Sequence, residues 1–176
     1  GIDVRARSPR STLSVTTATT GTIERTPVKL LFRLERDQDG FPPVDVESVW
    51  ANPQADGTYQ IDNIPFYARG VAVGDTVTAN EIDGELFFAA LARPSGNSLI
   101  RAIVYDEAEV PRLCAELKDL GCDVEVYGSF VAVDVPASIS YVPICQLLEA
   151  GMSTERLGFE EAVLCHKASA DDKAPT

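Results

Sequence analysis

One apolar stripe constrains this chain more than any other feature. Val110, Leu113, Cys114, Leu117 and Leu120 fall at offsets 0, +3, +4, +7 and +10, which is one continuous face of an α-helix. Asp106 stands ahead of it as an N-cap, with Glu109 three residues later in the arrangement of a capping box. Gly121 follows where helices end in left-handed geometry. Strands surround this helix. Leu99–Tyr105 (LIRAIVY) is strongly apolar, and Asp123–Tyr127 and Phe130–Val135 alternate on either side of a Gly128-Ser129 turn. After Pro136, Ser138 or Ser140 starts a second helix with Ile139, Val142, Leu147 and Leu148 toward the core, Pro143 in its first turn and Gly151 at its end. Phe159–Cys165 (FEEAVLC) reads as a last strand. The order β-α-β-β-α-β predicts a ferredoxin-like unit, a four-stranded antiparallel sheet with both helices on one face.

The preceding stretch is written differently. Val28–Leu34, Val44–Ala51 and Thr58–Asp62 read as short strands, the second alternating Val44, Val46 and Ser48 against Asp45, Glu47 and Val49; Asp37–Gly40, an extended Phe41-Pro42-Pro43 connector and Asp56-Gly57 separate them. Asp83-Gly84 separates Asp75–Ile82 from Glu85–Ala92, so these two should pair. Pro65 and Pro94 cannot lie within a sheet and bound this region. Short strands punctuated by Gly, Pro, Asn and Asp are how a small barrel is written. The expected fold is therefore α+β. A small β-barrel-like unit at 27–94, with five or six strands, packs on a ferredoxin-like unit at 95–166, and flexible tails lie at 1–26 and 167–176.

Charge narrows the function. Residues 27–166 hold nine Lys/Arg against 23 Asp/Glu, or −14, while residues 1–26 carry +2 and the last ten balance at zero. A body this acidic repels nucleic acid and anionic lipid and favours basic peptides, cationic small molecules or metal ions, unless its carboxylates only keep the protein soluble; the expected partner is a protein, a peptide or a small molecule. No run of about 18 apolar residues exists to span a bilayer. Cys114, Cys122, Cys145 and Cys165 match no zinc spacing, and residues 1–26 lack the apolar segment of a signal peptide. Buried thiols in a reducing cytoplasm follow. His166 is the only histidine, so neither a multi-histidine metal site nor a Ser-His-Asp triad is expected, and no cofactor motif is present. Cys165 and His166 are adjacent, but neighbours in a strand point to opposite faces.

Two segments concentrate polar groups. Arg93-Pro94-Ser95-Gly96-Asn97-Ser98-Leu99-Ile100-Arg101 joins the two units, and its serines, asparagine and arginines can hold a carboxylate or phosphate or satisfy local backbone. Asp62–Gly70 places Phe66 and Tyr67 beside Arg69, with Asn63 before Ile64-Pro65. Carboxylate pairs Asp37/Asp39 and Glu160/Glu161 read as solvated turn or edge residues.

The runs GFPPVDVESVWA (40–51), YQIDNIPFYARGVAVGDTV (59–77) and RPSGNSLIRAIVYDE (93–107), with LGCDVE (120–125) and VAVDVP (131–136), resemble a bacterial family defined as domain of unknown function 4265. The resemblance spans Pro27 to Cys165. It implies a bacterial, cytosolic protein, brings no established activity, and marks Asn63, Pro65, Gly70, Gly74, Asp75, Ser95, Gly96, Ser98 and Arg101 as motif positions. Taken together, the residues point to a non-catalytic binding module. Its candidate ligand- or partner-binding residues are Asn63, Arg69, Asp75, Arg93, Ser95, Asn97, Ser98 and Arg101. The alternative is an enzyme with a polar site at the seam between the units, built from Asp75, Ser95, Asn97, Ser98 and Arg101. An RNA-facing sheet is a third reading, opposed by the −14 body.

Overall fold

The computed structural model describes residues 26–166. The tails expected at 1–26 and 167–176 lie outside the described residues, except for Thr26. The chain divides into two compact units. The first holds the described residues up to Ala68 together with Val73–Pro94, and the second holds Arg69–Ala72 and the residues from Ser95 onward.

The first unit is a closed barrel of five strands: β1 (Val28–Arg33), β2 (Val46–Pro53), β3 (Tyr59–Ile61), β4 (Thr76–Ile82) and β5 (Glu85–Arg93). Consecutive strands pair antiparallel, and a short parallel pairing of Leu30 with Leu86 and Leu31 with Phe87 closes the ring. Asp83 and Gly84 both take positive φ (54° and 82°), the mirror-image turn that matches the twist of the β4–β5 hairpin. Leu30, Val49, Ala51, Ile61 and Val77 are fully or almost fully buried, and the Phe32 and Phe88 rings stack at 4.7 Å. The Phe41–Pro42 peptide is cis.

β2 corrects the predicted alternation. Val44 and Val46 were expected to share one face, yet the buried face carries Glu47, Val49 and Ala51, and Val46 is exposed. The reason is a carboxylate. Glu47 is buried, its Oε1 accepts from the Phe66 N–H at 2.6 Å, and its Oε2 accepts from Tyr67 at 2.9 Å and Ala68 at 2.6 Å. Residues 63–68 form neither helix nor strand, yet all six are buried. Buried irregular backbone must find acceptors, and one carboxylate serves three consecutive N–H groups. Asn63 does the converse, its Oδ1 accepting from Trp50 N at 2.6 Å.

In the second unit, β6 (Ser98–Val104) leads through a 3₁₀ turn (Glu107–Glu109) into α1 (Val110–Asp119). There follow β7 (Asp123–Tyr127), β8 (Phe130–Val135), α2 (Val142–Ser153) and β9 (Leu157–Val163). The sheet order is β7-β8-β6-β9, all neighbours antiparallel. Val110, Leu113, Cys114 and Leu117 of α1 and Ile144 and Leu148 of α2 share one core with Ile100, Ala102, Val104, Val131, Val133 and Val135, so both helices cover the same sheet face. Among the described residues, no helix is long and apolar enough to cross a membrane.

The caps follow the sequence in part. Asp106 accepts from Ala108 N at 3.0 Å, but Glu109 does not close a capping box; its carboxylate lies 2.6 Å from Arg156. α1 ends in a Schellman motif, with Cys122 N bonding Leu117 O and Gly121 N bonding Lys118 O. α2 runs past Gly151, its expected end, to Ser153 and closes the same way through Arg156 N to Gly151 O and Glu155 N to Met152 O. Glu155 holds the left-handed position (φ 53°) where a glycine would announce the stop. Gly151 has a different task. A Cβ there would sit 2.7 Å from a Leu157 methyl, so its absence lets α2 approach β9.

The Glu47 contacts generate a test. Glu47→Gln turns one acceptor oxygen into a donor facing a buried N–H, and should cost at least about 2 kcal/mol. Exposed Glu85→Gln should stay within about 0.5 kcal/mol. Urea unfolding of the two variants checks both.

Candidate functional site

The Ser95–Ser98 loop folds back on its own unit. Ser95 Oγ accepts from Asn97 N at 3.1 Å, and Asn97 Oδ1 accepts from Ala137 N at 3.0 Å. Asn97 Nδ2 donates to both oxygens of the buried Asp134, at 3.0 and 3.3 Å. Gly96 lies so close that a Cβ would meet the Ala137 Cβ at 3.1 Å. The loop thereby ties the start of β6 to the chain leaving β8.

Ser98 and His166 meet across 68 residues. His166 Nε2 lies 3.1 Å from the Pro136 carbonyl, which can only accept, so Nε2 carries the proton and Nδ1 accepts from Ser98 Oγ at 2.7 Å. The same oxygen accepts from Cys165 N at 2.9 Å and His166 N at 3.3 Å. Tyr141 stacks on the imidazole at 5.8 Å, and its hydroxyl donates to the Glu161 carboxylate. Burial and that hydrogen bond push the Tyr141 hydroxyl well above the usual phenol range. A serine bonded to a histidine resembles a nucleophile and its base. Here, however, Ser98 is fully buried and its oxygen already accepts two backbone N–H bonds.

The remaining candidates lie on several elements of the two units. Arg101 is buried on β6 with its Nη1 3.3 Å from Glu160 Oε1; Glu160 and Glu161 are exposed on the edge strand β9, as expected, and each also holds a partner. Arg93 reaches Asp56 at 3.4 Å in the barrel unit, where the Thr58 side-chain hydrogen bond, more than Arg93, lowers the Asp56 carboxyl. So exposed a pair is screened by water and contributes little to stability. Arg69 is exposed and belongs to the second unit. Asp75 is buried in the barrel unit and its carbonyl accepts from Ile61 N. Asn63 supports Trp50, as described above. The structure thus gathers Ser95, Asn97 and Ser98 into one polar knot of the second unit, while Asn63, Asp75 and Arg93 belong to the barrel unit.

Sequence reasoning missed His166, Asp134 and Tyr141 as members of this knot. Asp134 carried a signal, as the one charged residue in FVAVDV, where every neighbour is apolar. It also missed a depression of about 550 Å³ lined by Tyr105, Asp106, Glu109, Arg112, Glu155 and Arg156. Glu109 there holds Arg156 at 2.6 Å and Arg112 at 3.7 Å. Among the described residues, no group of three or more His, Cys, Asp or Glu is placed to hold a metal ion.

Comparison with known proteins bears on the family alone. A family model described as a domain of unknown function (DUF4265) matches residues 47–158. A crystal structure of a hypothetical protein from Neisseria gonorrhoeae is similar at a TM-score of 0.69 and 24% identity, over 81% of this chain and 99% of that one, which is a likeness of fold. No curated protein matches the chain.

Two outcomes follow from this geometry. Ser98→Ala removes one acceptor from two backbone N–H groups and a partner from His166, and should cost about 1–3 kcal/mol. Hydrogen exchange at Cys165 should rise with it. The second concerns Cys122, whose thiol burial pushes up to about 12 from 9.0, with Asp134 adding to the shift. Above pH 9 the unfolded chain loses this proton while the folded one keeps it, so stability should decline from pH 9 toward 12. Thermal melts of wild type and Cys122→Ala across that window should show a flatter decline in the variant. The chain belongs to the family defined as domain of unknown function 4265.

Proposed function

We propose that this protein is a non-catalytic binding module of the bacterial cytosol, and that its second unit is ferredoxin-like. The strand order β7-β8-β6-β9 and the shared helix face support the fold reading. The observation that carries the functional reading is where the polar chemistry goes. Ser95, Asn97 and Ser98 hold the chain's own backbone and side chains, and Arg93 and Arg101 sit on carboxylates. The open ground is the depression beside Tyr105, where charges of both signs meet an aromatic ring 66% exposed. Such a surface suits a protein or peptide, and the −12 chain disfavours nucleic acid and anionic membrane.

Capture on the immobilised full chain from a bacterial lysate, analysed for proteins and metabolites together, tests this. A protein retained in a fixed ratio and released by salt is the expected result. A retained metabolite that the purified chain then consumes would sink it.

A further inference from the structure

The depression in the second unit is built from charges of both signs. Its lining comes from two places in the chain. Tyr105, Asp106, Glu109 and Arg112 lead from β6 into the first turn of α1, while Glu155 and Arg156 join α2 to β9. The Tyr105 N–H donates to the Arg156 carbonyl at 2.9 Å and fastens the two segments together. The volume, about 550 Å³, lies within the range of small-molecule sites, roughly 300–1,000 Å³.

One carboxylate oxygen sets the positive charges in place. Glu109 Oε2 lies 2.6 Å from Arg156 Nη2 and 3.7 Å from Arg112 Nη1, and Glu116 holds Arg112 Nε at 3.2 Å. A guanidinium carries five N–H donors on three nitrogens. Among the described residues, these contacts engage one nitrogen of Arg156 and two of Arg112, so donors remain on both. The negative charges are less committed. Glu155 is exposed, holds the left-handed backbone at φ 53°, and has no ion pair among the described residues. Asp106 is exposed as well, and its Oδ1 accepts from the Ala108 N–H.

We propose that this depression binds a zwitterionic α-amino acid, its carboxylate on the spare N–H groups of Arg112 and Arg156 and its ammonium on Glu155 and Asp106. Tyr105, 66% exposed, gives an apolar side chain a surface to rest on. A ligand of one charge is opposed here: an anion meets Glu155 and Asp106, and a cation meets the two guanidiniums. A ligand with both charges a few ångström apart satisfies both sets. The pairs with Glu109 hold the guanidiniums in advance, so binding costs them less side-chain freedom. The inference rests on the binding-module reading, since no bond is made or broken, and goes beyond it by adding a small ligand at the same depression.

An NMR titration of the isotope-labelled full chain tests this with three probes. They are L-phenylalanine, L-phenylalaninamide, which keeps only the ammonium, and N-acetyl-L-phenylalanine, which keeps only the carboxylate. L-Phenylalanine should give saturable shifts at the amides of Tyr105, Glu155 and Arg156. It should bind about fivefold more tightly than either singly charged probe, the scale of one charge-assisted contact. Glu155→Gly should weaken its binding about fivefold, and this variant relieves the left-handed backbone, so it stays folded. Exposed Arg112→Gln should weaken it about threefold by removing one guanidinium. Glu85→Gln, in the barrel unit, should bind as the parent chain does. No saturable shift, equal binding of a singly charged probe, or unchanged affinity in both Glu155→Gly and Arg112→Gln would each overturn the proposal. If lysate capture still retains a protein in those cases, the binding-module reading stands without this ligand.

Discussion

The barrel unit depends on one buried carboxylate. Glu47 sits among the apolar side chains of β2, where an unpaired charge would be costly, and its three backbone N–H partners make it tolerable. The benefit runs both ways. Residues 63–68 have no strand to satisfy their backbone, yet bring Ile64, Phe66 and Tyr67 into the interior. Without Glu47, that segment would have to stay wet or find three other acceptors. Asn63 extends the same solution, substituting a side-chain oxygen for a ladder carbonyl opposite Trp50.

The second unit solves a similar problem where two chain segments meet. Ser98 receives the N–H groups of Cys165 and His166, while Asn97 reaches Asp134 and the Ala137 backbone. Groups that look like chemistry in the sequence thus serve as hydrogen-bond partners for the chain's own backbone and side chains. The thiols fit this picture. Burial raises Cys114, Cys122 and Cys145, keeping them neutral and poor nucleophiles.

Legibility in the sequence followed periodicity. Asp123–Tyr127 and Phe130–Val135 came out with the observed bounds because alternation and a two-residue turn are local signals. The α1 stripe was equally plain, since its apolar face and its Gly121 stop agree. The end of α2 was not legible: its left-handed cap is Glu155, and Gly151 is there for contact with Leu157. The buried face of β2 was misread for a related reason, as an acidic side chain was read as outward before its backbone partners were known. In the candidate site, the Ser95–Ser98 segment was found but its partners were not. Asp134, Tyr141 and His166 lie 37 or more residues away along the chain.

The sequence by itself determined the element order, the division into a strand-rich first part and a β-α-β-β-α-β second part, and the acidic balance of the body. These rest on side-chain spacing and composition, which need no knowledge of distant contacts. Tertiary structure alone decided that the barrel closes through a parallel β1–β5 pairing, that Glu47 turns inward, and that Ser98 meets His166. It also decided that Phe130 is buried while Tyr127 and Ile103, its partners on the neighbouring strands, stay exposed. Each of these joins residues far apart in the chain. Whether a polar or aromatic group is buried, bonded or left open depends on which neighbours folding brings to it.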